Sequence, residues 1–88
     1  MIEHILPVWG SSSGGTVVTV YGQNMVNNMQ CRMGSIVSFA SFVSTSSVTC
    51  LSPAYAVGTS SIDLSDDTQQ FTSSGLVFEF YGLMNNFF

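Results

Sequence analysis

The chain has 88 residues, room for one domain built on one core and not for two. Charged residues make up 7% of it and hydrophobic residues 45%, the formal net charge is −4, and Arg32 is the only Lys or Arg. A single such cation cannot supply the several phosphate contacts that nucleic acid requires or hold the chain to an anionic lipid surface, so neither partner is expected.

Apolar residues nowhere recur at i, i+3, i+4 and i+7 for three turns, so no substantial helix is predicted and the chain reads as short strands and frequent turns. A first strand is predicted from Glu3 to Leu6, ended by Pro7, which lacks the N–H that a ladder needs. Val8 to Gly15 reads as a Gly/Ser-rich loop. From Thr16 to Tyr21 the side chains alternate, with Thr16, Val18 and Val20 expected inward and Val17, Thr19 and Tyr21 on the other face. Gly22 to Asn28 reads as a loop in which Asn24, Asn27 and Asn28 suit left-handed or turn geometry and Met25 plugs the end of the core. Met29 to Met33 is the next predicted strand, with Met29, Cys31 and Met33 on one face.

Between Ser35 and Thr45, Ile36, Val37, Phe39, Phe42 and Val43 keep no single parity, which predicts a bulge or a switch between sheets. Ser47 to Leu51 puts Val48 and Cys50 inward, Pro53 stops that strand, and Gly58 opens a turn. Ser60 to Ser65 alternates Ile62 and Leu64 against Ser61, Asp63 and Ser65, and Asp66 to Gln70 reads as a polar hairpin connection. Leu76 to Tyr81 returns with Phe78 and Phe80 inward and Val77, Glu79 and Tyr81 outward. About seven short strands at such intervals predict an all-β, immunoglobulin-like β-sandwich. The domain is expected to cover residues 1–81, with 82–88 a linker or terminal tail.

Cys31 and Cys50 have 18 residues between them, a loop whose closure by a disulfide contributes on the order of 3 kcal/mol. A bridge implies maturation in an oxidising compartment. Two buried thiols are the alternative, and a zinc site with His4 lacks a fourth ligand and the usual spacing. Residues 1–7 do not read as a secretory signal, so either a signal lies outside this sequence or Met1 was added for expression. No apolar run approaches the roughly 20 residues of a membrane-spanning helix, and no direct membrane insertion is expected.

Candidate chemistry is sparse. His4 is the only histidine and no Gly-x-Ser-x-Gly elbow accompanies it, so no catalytic residues and no enzymatic activity are expected. Asp63, Asp66 and Asp67 read as solvated turn residues before they read as the six to eight oxygen ligands of a calcium site. Residues 10–15 carry glycines and serines but neither the Lys-Ser/Thr pair nor the helix of a phosphate loop. There is no Asn-x-Ser/Thr sequon, and neither a metal nor a cofactor is expected. Among the aromatics Trp9, Phe39, Tyr55, Tyr81, Phe87 and Phe88, some cover the ends of the core, and the rest suit an apolar contact patch. Trp9, Phe39, Tyr55 and Tyr81 are the candidate interaction surface. The low charge, against about 25% in ordinary soluble domains, points the same way, to a surface that faces other protein.

Taken in order, Pro7-x-x-Gly10, Gly14-Gly15-Thr16-x-Val18-Thr19-Val20-x-Gly22-x-Asn24-Met25, Cys31-Arg32-Met33-Gly34, Val48-x-Cys50-x-Ser52-Pro53, Gly58, Ile62-x-Leu64-Ser65 and Phe78-x-Phe80 resemble the IPT/TIG domain. The resemblance runs from about Ile2 to Tyr81. This immunoglobulin-like fold is shared by plexins, the hepatocyte growth factor receptor, fibrocystin-like and other surface proteins. It also occurs in Rel-type transcription factors and beside starch-degrading enzymes. Where the family usually has an aromatic, this chain has Met25 and Met33, which makes the core more pliable. The glycines fit the pattern physically: Gly22 and Gly34 are expected at positive φ at strand exits, and the two cysteines to tie neighbouring strands. What the resemblance implies is a noncatalytic extracellular or cell-surface module, structural or adhesive, whose partners are other protein modules or subunits of the same assembly. The alternative it implies is a module binding protein or carbohydrate, as a receptor-type repeat or the accessory domain of an enzyme.

Overall fold

The computed structural model describes residues 2–66, 71–72 and 75–82. Of the hairpin connection expected over 66–70, residues 67–70 lie outside the described residues, and so do residues 83–88 of the tail expected over 82–88, Phe87 and Phe88 among them. Nine strands follow one another: β1 Ile2–Leu6, β2 Trp9–Ser11, β3 Val17–Gly22, β4 Gln30–Met33, β5 Ile36–Phe39, β6 Ser41–Ser44, β7 Ser47–Leu51, β8 Gly58–Ser65 and β9 Val77–Tyr81. They form a four-stranded sheet in the order β1-β3-β7-β6 and a five-stranded sheet in the order β2-β9-β8-β4-β5. There is no helix among the described residues. The chain is thus the all-β sandwich its alternation predicts, with nine strands where about seven were expected.

The two additional strands have separate causes. β2 falls where a loop was expected, because three residues with a central glycine carry no periodic signal; backbone pairing to β9, parallel, makes them a strand. The stretch from Ser35 to Thr45 makes the switch between sheets that its mixed parity predicts: β5 pairs with β4 in one sheet, Ala40 is the crossing point, and β6 pairs with β7 in the other, with an irregularity between Phe42 and Ser44. A similar crossing separates β1 from β2, at the cis Leu6–Pro7 bond. β8 is the spine of the larger sheet. Its first half, Gly58 to Ser61, pairs with β9, and its second half, Ile62 to Ser65, pairs with β4.

Inward positions from both sheets meet in one core of Ile5, Val18, Val20, Met25, Met29, Cys31, Met33, Val48, Cys50, Ile62, Leu64, Phe78 and Phe80. Phe78 and Phe80 meet edge to face, ring centroids 5.0 Å apart, one of the favoured aromatic geometries. Cys31 on β4 and Cys50 on β7 are joined in a disulfide with Cα atoms 6.3 Å apart. Those strands lie in facing sheets, so the bridge runs through the core between the two layers, where a tie between neighbouring strands was expected.

Some residues depart from simple alternation. Thr16 precedes β3 and is half-buried, its N–H donating to Ser52 Oγ at 3.0 Å. Asp63 and Ser65, expected outward, are buried. The reason at Asp63 is cover from the segment at 71–72. Thr72 Oγ1 donates to Asp63 Oδ1 and accepts from the Leu64 N–H, both at 3.1 Å, and the Thr72 N–H donates to Leu64 O at 2.9 Å. Asn24 and Asn28 do adopt positive φ, and so does Gly34 at +62°. Gly22 instead closes β3 and is not among the positive-φ glycines.

Candidate interaction surface

One exposed aromatic edge follows from a packing constraint. A side chain at Gly10 would collide with Thr16 and Phe78, so this position must face the interior. Strand alternation then turns Trp9 and Ser11 outward. Their parallel partners on β9 are Glu79 and Tyr81, which face out because Phe78 and Phe80 face in. Trp9, Tyr81 and Val77 are left exposed at one edge of the five-stranded sheet, Trp9 by 57%. Backbone bonds from the Glu79 N–H to Val8 O and from the Ser12 N–H to Tyr81 O, at 2.9 and 2.8 Å, fix this edge.

Phe39 lies at the opposite edge of the same sheet, on β5, opposite Gln30, with Val37 opposite Arg32. At 73% it is the most exposed of the large hydrophobic side chains among the described residues. Tyr55 is placed differently from both. It is half-buried, its ring 5.2 Å from Phe80 and its N–H donating to Ser12 O at 3.0 Å, where it closes one end of the core. The four candidate residues therefore do not form one patch: Trp9 and Tyr81 share an edge, Phe39 lies across the sheet, and Tyr55 covers the interior.

A further apolar group on the outer face of the four-stranded sheet escaped the reading of aromatics. Val17 on β3 is directly opposite Leu51 on β7, and Leu6 is opposite Thr19 in the adjoining row. All three are exposed. The available signal was parity, since Val17 and Leu51 occupy the outward set of strands whose inward residues were already assigned.

Several polar groups are occupied within the fold. Arg32 Nη2 is 3.8 Å from Asp63 Oδ2, and its guanidinium lies over the Phe71 ring, 4.4 Å from the centroid. His4 stacks on Tyr21 with centroids 4.5 Å apart, and Glu3 accepts from Gln23 Nε2 at 3.1 Å. In the loop after β2, the N–H groups of Ser12, Gly14 and Gly15 donate to Tyr81 O, Ser11 O and Ser52 O, which leaves them unavailable to cradle a phosphate. Asp63 is engaged by Arg32 and Thr72 while Asp66 is exposed, and among the described residues no three His, Cys, Asp or Glu side chains gather as a metal site would need.

The IPT/TIG domain family matches this chain over residues 1–80. Two solved structures of the plexin A4 full extracellular region resemble it. One, of domains 1 to 8, is 26% identical with a TM-score of 0.74, covering 91% of this chain and 8% of that one. The other, of domains 1 to 10, is 25% identical with a TM-score of 0.76, covering 93% and 7%. The chain thus spans less than a tenth of the plexin chains it matches. Comparison with curated proteins found no match.

Proposed function

Because the chain belongs to the IPT/TIG domain family, we infer that it is a noncatalytic extracellular or cell-surface module, a structural or adhesive unit of a larger multi-domain or filamentous assembly. The observation that carries this reading is the likeness to a small part of a plexin extracellular region, where the same fold is one domain among several. The disulfide between Cys31 and Cys50 supports the oxidising compartment this requires. On this reading residues 1–81 are the unit and 82–88 a linker or tail.

The mechanism is contact. Trp9 and Tyr81 present apolar area beside Glu79 on a rigid edge held by the core rings directly beneath, so docking another protein module desolvates them with little ordering cost. Oxidative footprinting tests this. Trp9 is expected to react readily in the isolated 88-residue chain and to be protected about tenfold in the assembly purified from its source cells. Trp9→Ala is expected to weaken that assembly while leaving the melting temperature of the chain nearly unchanged. Equal reactivity in both materials, or intact assembly with a lowered melting temperature, would overturn the reading.

A further inference from the structure

The open edges of the two sheets differ in what they leave for a partner. β1 carries Glu3 and His4. β2 is three residues long and follows Pro7, and β6 has its pairing to β7 interrupted between Phe42 and Ser44. Among the described residues β5 has none of these protections. Ile36, Val37, Ser38 and Phe39 are all exposed, pair regularly with β4 on one side, and contain no charge or proline. No charged residue occurs between Arg32 and Asp63 in the chain, and Arg32 itself is turned toward β8 by Asp63. Unprotected edges of this kind are those that natural sheets usually block.

We propose that β5 is a self-pairing edge, through which two copies of this chain join antiparallel about a two-fold axis at Ser38 and double the five-stranded sheet. The backbone sets the register. The Ala40 N–H donates to Met29 O at 2.9 Å, so Ala40 points back toward the chain that forms β4. Alternation along the strand then directs Ile36 and Ser38 toward β4 and leaves the N–H and C=O of Val37 and Phe39 on the open side. Those groups require an extended backbone, and a second β5 supplies it in matching register: Val37 of one copy opposite Phe39 of the other, and the reverse, each pair exchanging both of its backbone bonds. Val37 and Phe39 lie on the same outer face, so this register also covers each exposed Phe39 with a valine. Shifting to Val37 opposite Val37 loses that cover and sets Phe39 against Ser35 of the turn. Isologous pairing of this kind is closed and stops at two copies.

This contact is distinct from the Trp9 edge, being backbone-directed and on the far side of the sheet. The test is sedimentation velocity on the oxidised 88-residue chain from about 1 µM to about 1 mM. The wild type and Trp9→Ala are expected to dimerise alike, and Val37→Lys, which places two cations across the axis, to weaken dimerisation at least about tenfold. Ser38→Cys adds a reading of the register. The axial pair is not hydrogen-bonded and brings its Cα atoms to about 4.5 Å, within disulfide reach; because Ser38 is also opposite Cys31 in its own chain, the expected result is a homodimer joined through position 38 with the Cys31–Cys50 bridge intact by peptide mapping, which Ser41→Cys does not give. If Val37→Lys fails to fold, the Ser38→Cys cross-link decides alone. A wild-type chain that stays monomeric throughout, a dimer indifferent to Val37→Lys, or equal cross-linking by Ser41→Cys would overturn the proposal and leave the Trp9 reading standing.

Discussion

Phe78 and Phe80 on β9 and Phe39 and Phe42 on β5 and β6 are the same side chain in the same kind of element, yet the first two are fully buried and the others are 73% and 40% exposed. Hydrophobicity does not separate them. Position in the strand order does. β9 is flanked on both sides by β2 and β8 and has Val18, Val20 and Val48 in the layer opposite, whereas β5 and β6 are the outermost strands of their sheets. Phe42 shares the inward row of Val48 and is still exposed, because an inward direction at a margin leads past the edge of the facing layer. The oily stretch from Ile36 to Val43 thus contributes to the fold chiefly through its backbone and leaves its side chains for contact.

That contrast can be broken by measurement, beginning with its strongest term. Phe78→Ala removes a fully buried ring from beneath Gly10 and is expected to cost about 3–5 kcal/mol, read by urea unfolding. Opening the cross-layer bridge, by reductant or by the paired Cys31→Ala and Cys50→Ala substitutions, is expected to cost about 3 kcal/mol and to appear as a lower melting temperature. Gly34→Ala addresses the turn that leads from β4 into the margin. The position has φ +62° and a Cβ there would strike the Tyr55 ring, so a loss of about 1–3 kcal/mol is expected, with an altered Tyr55 fluorescence signal. Phe39→Ser is expected to change stability by no more than about 0.5 kcal/mol. A Phe39 cost approaching that of Phe78 would show that the margin is structural after all.

The buried half of the contrast was legible in the sequence. Val18, Val20, Ile62, Leu64, Phe78 and Phe80 follow a period of two, and a period of two in half-buried strands leaves few alternatives. β2 was not legible because Trp9-Gly10-Ser11 has no repeat of its own; its strand character comes from β9, some seventy residues away. Asp63 and Ser65 misled for another reason: their alternation is sound, while the segment at 71–72, nine residues along the chain at Thr72, covers the outward face at Asp63. Of the candidate surface, the exposure of Tyr81 was readable from parity, while Trp9 stood in a stretch read as loop and had no parity to read. Their separation from Phe39 was not readable, since strand order across a sheet leaves no local trace.

The parallel pairing of β2 with β9 also sets how the unit bears load. Tension applied at Val8 and at Tyr81 pulls these neighbouring strands past each other along their axes, so the bonds from Glu79 to Val8 and from Ser12 to Tyr81 resist together instead of parting one after another. The disulfide loop lies outside that shear plane, so traction across this short seam would part it while the interior stayed locked.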